Sequence, residues 1–204
     1  MTLSEPAVRP RARPVVPHEI RLMVAAMDRE SLRGKRDAAI VLLGYSAALR
    51  VGELAALRRP DVKLIRTGLR LYVRGKQVEL QAASDPEVDP AAALKAWLKA
   101  GRIDDGAIFR PVAASGLRTN RDRMSGQAVS AVVAARGAAA GISGVTGLSL
   151  RAGYQATAKA GGAESVDLDR FLRVAGVRPR QQRRPARRTA SRQTRTCTKP
   201  ATAN

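Results

Sequence analysis

Apolar positions keep a helical period along most of this chain. The stretch from His18 to Met27 opens the pattern, with Pro17 suited to a first helical turn and Glu19 to a helix N-terminus. Ala38, Val41, Leu42 and Tyr45 recur at three- and four-residue spacing, which predicts a second helix over 34–48. A third is expected over 51–57, stopped before Pro60. The period then changes. From Leu69 to Leu80 apolar and polar residues alternate around Gly75-Lys76, which predicts a β-hairpin turning at that pair. Pro90 opens a helix over 91–100 that contains Trp97, and 101–123 reads as loop with a short apolar element at Ile108-Phe109. Ser125 is placed to cap a helix over 127–140, which Gly141 and Gly144 break. A helix over 148–160 ends at Gly161-Gly162, and a short one is expected over 166–174.

The expected fold is therefore mainly α with a small β-hairpin or three-stranded sheet. After Gly176 the apolar period vanishes and Arg, Gln, Pro, Ser and Thr dominate. The pattern divides the chain into a flexible basic arm over 1–16, a folded unit over 17–176 and a disordered basic tail over 177–204. A chain of 204 residues suits one domain plus a tail.

Composition narrows the partners. Net charge is +20, from 37 Lys and Arg against 17 Asp and Glu, and residues 173–204 supply about half of it without an acidic residue. The remainder is still basic, so a polyanion is the expected partner of the folded part as well. Aromatics make up 3%, which argues against a stacking platform for single strands. Cys197 is the single cysteine, so a disulfide framework or zinc cluster within the chain is excluded and a reducing cytosol fits. The longest strongly apolar run, 38–49, is short of the roughly 20 residues that span a bilayer. Acidic Glu5 and several prolines near the start are unlike a signal peptide.

Two arginines and a lysine stand out. Arg50 lies in Leu49-Arg-Val-Gly-Glu-Leu54, Lys76 at the hairpin, and Arg151 in Thr146-Gly-Leu-Ser-Leu-Arg-Ala-Gly-Tyr-Gln-Ala-Thr-Ala158. Singly, each has an ordinary reading: an arginine at a helix junction, a turn lysine, a helix-surface arginine. As a set they suit phosphate chemistry, because guanidinium grips phosphate oxygens in a bidentate way and a lysine can give up a proton. In this order the motifs resemble the two arginine boxes and hairpin lysine of the tyrosine recombinases (phage integrase family). Pro90-Ala-Ala-Ala-Leu-Lys-Ala-Trp-Leu98, Ile108-Phe-Arg-Pro111 and Met124-Ser-Gly-Gln-Ala-Val129 resemble intervening segments of that family.

The resemblance implies an integrase-like catalytic domain over 17–176, acting in DNA breakage and rejoining during integration or recombination. Arg50 and Arg151 would hold the scissile phosphate, Glu53 would support the turn that presents Arg50, and Lys76 would protonate the departing 5′-oxygen. It also implies double-stranded DNA as partner, assembly as a homo-oligomer on DNA, a bacterial cytosolic or nucleoid setting, and neither metal nor cofactor. Trp97 and Tyr154 are expected in the core and His18 on the surface.

Three positions depart from the family's pattern. Leu148 stands where the second box usually has histidine, Val177 where a further histidine is expected, and the nucleophilic tyrosine should fall near Ala186. Thr189 and Ser191 lie near that point without an activating partner. The family's N-terminal DNA-binding domain is also not expected in the short stretch before the first helix. The expected function is a recombinase domain that holds DNA but does not cut it alone. The alternative is a non-catalytic basic nucleic-acid-binding remnant, such as a truncated or frame-shifted integrase. A basic structural protein without recombinase history is disfavoured by the motif order over 38–158.

Overall fold

The computed structural model of the protein describes residues 12–161. One long helix forms the axis of the described unit, with shorter helices around it and a three-stranded sheet at one side. α1 (Pro17–Ala25) starts with Pro17 in its first turn, and Glu19 Oε2 accepts from the Val16 amide at 3.0 Å while pairing with Arg13. α2 (Leu32–Ser46) is capped by Ser31, whose Oγ accepts from Gly34 N at 3.0 Å. Residues 36–44 of α2 are buried without interruption, so this helix is the core's axis and α1, α4, α5 and α6 pack around it. It ends at Ser46, short of the expected 48, because Ala48 takes a left-handed φ of 49° that no helix continues. α3 (Val51–Ala56) follows at once.

The sheet has order β1-β2-β3, all antiparallel: β1 (Val62–Ile65), β2 (Gly68–Val73) and β3 (Lys76–Gln81). Leu69 faces Leu80 and Leu71 faces Val78, and these residues with Val62 and Val73 bury one face against the helices. The other face is polar: Arg70 pairs with Glu79 at 2.5 Å, and Lys63 lies 5.7 Å from the Tyr72 ring centre. The hairpin turns at Arg74-Gly75, with φ 50° and 73°, one residue before the expected pair. Two successive positive φ values match the twist of the flanking strands, and Lys76 is thereby the first residue of β3, opposite Val73.

α4 (Pro90–Ala100) is capped by Asp89, which accepts from Ala91 N and Ala92 N at 3.0 and 3.2 Å. Its buried stripe is Ala93, Leu94, Trp97 and Leu98. Trp97 is fully enclosed as expected, and its indole donates to Ile108 O at 3.0 Å, anchoring the loop through Ile108 and Phe109. α5 (Gly126–Ala139) is capped by Ser125, and α6 (Gly147–Ala160) ends at Gly161. Asp37 of α2, 1% exposed, ties α5 to the axis: Arg36 Nε and Arg136 Nε donate to its two oxygens, each at 2.8 Å.

Packing begins before Pro17. Val15 is wholly buried, its amide donates to Ser149 O at 3.3 Å, and its backbone lies against Gly153, where a Cβ would overlap it. The last residues of the expected free arm are therefore a strap across α6. Residues 1–11, the helix expected over 166–174 and the tail over 177–204 lie outside the described residues. Among the described residues no helix is long and apolar enough to cross a membrane.

Candidate functional site

The end of α2, the start of α3, the hairpin tip and the first turns of α6 converge on one surface. Arg50 precedes α3, and Glu53 one turn later folds back so that its Oε2 accepts the Arg50 amide at 2.9 Å. This fixes the backbone that presents the half-buried Arg50 side chain. Glu53 is buried, and its other oxygen, Oε1, lies 3.3 Å from Arg74 Nε at the hairpin tip. A buried carboxylate thus joins the Arg50 junction to the turn that carries Lys76, which is exposed.

Arg151 comes from α6. Thr146 N donates to Ser149 Oγ at 3.0 Å and Gly147 N to Ser130 Oγ at 3.1 Å, which sets the start of that helix against α5. Gly147 lies so close to Val51 that a Cβ would overlap it, so α6 approaches α3 directly. Arg151 then reaches back, and its Nη1 donates to Ala48 O at 2.6 Å. Its Nη2 is buried and has no hydrogen-bond partner. Burial, and then the neighbouring Arg50 charge, push the Arg151 guanidinium below its ordinary pKa, while Glu53 acts in the opposite direction. Arg151 thus lies close enough to Arg50 and Glu53 for both charges to act on it, and its unpartnered Nη2 is a donor that an oxyanion would complete.

Leu148 lies one turn before Arg151 on the same face and is 59% exposed, whereas Leu150 is fully buried. The Leu148 side chain therefore faces solvent on the helix face that carries Arg151 and plays no part in the core. Tyr154 differs from expectation: it is half-buried, edge-on to Tyr45 with ring centres 6.2 Å apart. Burial and then Tyr45 push its phenol up, away from phenolate. His18 is exposed on α1, as expected.

No model of a protein family matches the chain. A search of curated proteins finds an integrase/recombinase xerD homolog of Selenomonas ruminantium, 30% identical over 108 residues, which are 48% of this chain and 32% of that protein. A putative integrase/recombinase of Sinorhizobium fredii is 33% identical over 95 residues, 47% of this chain and 28% of that protein. The matched stretch is thus about a third of the length of these curated relatives. Among solved structures, XerA recombinase aligns over 82% of this chain and 56% of its own, with TM-score 0.61 and 22% identity. A lambda integrase fragment bound to a core site aligns over 84% of this chain and 60% of its own, with TM-score 0.53 and 15% identity. Over about half of its length the chain is similar to these integrases and recombinases, and its fold resembles that of the tyrosine recombinases.

The helices around α2 and the three-stranded sheet match the fold of these recombinase structures. Three contributors to the candidate site had no signal in the sequence pattern. Arg74 forms an ion pair with a residue 21 positions away, Ala48 in its left-handed turn accepts from Arg151, and Ser130 steadies α6 from a different helix.

Proposed function

We propose that this chain is the catalytic-domain portion of a DNA site-specific recombinase and grips a phosphodiester of double-stranded DNA between Arg50 and Arg151. The observation that carries the reading is the buried, unpartnered Nη2 of Arg151 beside a second guanidinium. A free cationic donor in that setting is offset when a phosphate oxygen accepts from it. The positions of the two arginines, with Lys76 on the adjoining strand, follow the order in which this chemistry uses them. Lys76 is assigned to the departing 5′-oxygen.

The chain holds DNA without cutting it by itself. Leu148 carries no exchangeable proton where the chemistry uses histidine, and the stretch around Ala186 supplies no tyrosine hydroxyl. The names of the relatives support recombination as the process, and a core-site complex of lambda integrase supports duplex DNA as the partner. Assembly as a homo-oligomer on DNA in a bacterial cytosol is part of the same proposal.

Two measurements test it. A nicked suicide duplex carrying a site enriched by the chain should yield no covalent adduct on a denaturing gel, and a phosphotyrosyl adduct overturns the inactive reading. Arg50→Ala and Arg151→Ala should weaken binding to the enriched site more than binding to random duplex. An unchanged preference for the site refutes the phosphate grip.

A further inference from the structure

A second cleft, about 660 Å³ in volume, lies between the C-terminal end of α4 and residues 117–121. Leu32, the first residue of α2, forms part of its wall, while Ala48 lies just past the other end of that helix. Fifteen helical residues separate the cleft from the Arg50–Arg151 pair, roughly 20 Å. Arg102, Arg110, Arg118 and Arg121 line it, with Asp105 as the acidic residue among them.

Arg110 is occupied. It is buried, donates to the carbonyls of Ala107 at 2.7 Å and of Asp105, and lies 3.6 Å from the Asp105 carboxylate. Arg102, Arg118 and Arg121 are different: all three are exposed, and among the described residues their side chains have neither hydrogen bond nor ion pair. Elsewhere on the surface, Arg13, Arg21, Arg29 and Arg70 each have a carboxylate partner. Arg102 also takes a left-handed φ of 50° just past α4, a position where glycine is favoured. The nearby carbonyls are largely taken: Trp97, Leu98 and Lys99 accept backbone amides, and Gly101 accepts Thr119 Oγ1 at 3.4 Å. Uncompensated cations around one concavity, with its helix-end carbonyls covered, create a positive potential suited to phosphate.

We propose that this cleft is a second phosphate site, which takes the backbone of the same DNA duplex beyond the stretch held at Arg50 and Arg151. The inference rests on the DNA-binding reading above. Phosphates recur about every 1.7 Å of duplex axis over the two strands, so a duplex lying along this roughly 20 Å separation presents phosphates at both places.

The test uses the full chain and a duplex of about 30 base pairs enriched by it from a random pool, long enough to cover both places. Affinity is measured against salt for wild type, for Arg102→Ser/Arg118→Ser/Arg121→Ser, and for a control that removes three other exposed cations, Lys63→Ser/Lys95→Ser/Lys159→Ser. Removing one phosphate-binding cation should lower the slope of log K against log salt by about 0.9, so the arginine triple should reduce it by about 2–3. Phosphate-ethylation interference should show two separate clusters for wild type and the control, and the first cluster alone for the arginine triple. If the arginine triple matches the control in slope and interference pattern, the second site does not exist. Disappearance of the first cluster in Arg50→Ala and Arg151→Ala reads the primary grip independently. If that cluster survives those variants, the primary grip is refuted whatever the second cluster does.

Discussion

Replacing Arg151 with methionine should separate stability from function. In the absence of DNA, Arg151 contributes one bond, from Nη1 to the Ala48 carbonyl, and carries one burden, the buried Nη2 without a partner. Losing the bond leaves the Ala48 carbonyl short of a donor, which costs about 1–3 kcal/mol. Removing the unpartnered donor and its like-charged proximity to Arg50 recovers a similar amount, again about 1–3 kcal/mol. Methionine keeps most of the arginine stem's packing. The two terms cancel to within about 2 kcal/mol, so thermal unfolding of Arg151→Met should stay close to wild type. Binding should not. Charge-assisted bonds to a phosphate are worth about 1.5–3 kcal/mol each, and losing one or two of them weakens binding by roughly one to four orders of magnitude. Fluorescence anisotropy with the enriched duplex at fixed salt reads this directly. A stability loss above about 4 kcal/mol would make Arg151 a structural residue, and an unchanged affinity would remove it from the phosphate site.

The remaining predictions concern the scaffold. Asp37→Ala strands the buried Arg36 and frees Arg136, so it should destabilise the domain by about 3–5 kcal/mol, measured by urea unfolding; a loss below about 1 kcal/mol would show that the α2–α5 clamp is not held by this carboxylate. Glu19 has its pKa lowered, first by the bond from Arg13 and then by the Val16 amide. A lowered folded pKa stabilises above the unfolded carboxylate value, and that share is lost as pH falls through the folded value. Glu19→Gln should therefore flatten the acid limb of the stability curve below about pH 4.5 while changing little near neutrality, and an acid limb identical to wild type would count against the cap.

The helices were legible because their signals are local. Asp89-Pro90 marks the start of α4, and Ala93, Leu94, Trp97 and Leu98 mark its buried stripe within a dozen residues. β1 was not, since only Val62 of its four residues is buried and four residues with one inward side chain show no alternation. Nothing in an alanine foretells the left-handed φ at Ala48, and nothing in a stretch rich in proline and arginine foretells that Val15 is wholly buried against a glycine of α6. The site followed the same division. Arg50, Lys76 and Arg151 stood out through motif order, whereas Arg74 joins the hairpin to Glu53 across 21 residues and only the folded chain brings them together.

Leu148 offers a direct test of the proposed phosphate grip. A leucine selected for packing is enclosed, as Leu150 is two residues later; Leu148 is 59% exposed and shares a helix face with Arg151. Its replacement should therefore leave the core untouched and alter the surface proposed to meet phosphate. Leu148→His puts an imidazole there. Beside two guanidiniums its free-state pKa falls below the ordinary value near 6.5, and a bound phosphate raises it again. Binding then takes up a proton, so affinity for the enriched duplex should rise as pH falls from about 8 to 6, by up to about tenfold for each pKa unit separating the two states. The comparison is with wild type, whose only histidine, His18, is exposed on α1 and is common to both proteins. Unfolding temperatures of the two should agree within about 2 °C, since surface changes stay near half a kcal/mol. A steeper pH dependence at equal stability would show that position 148 faces the bound phosphate. Parallel pH profiles would place the phosphate elsewhere, and with it the reading of Arg50 and Arg151 as a pair.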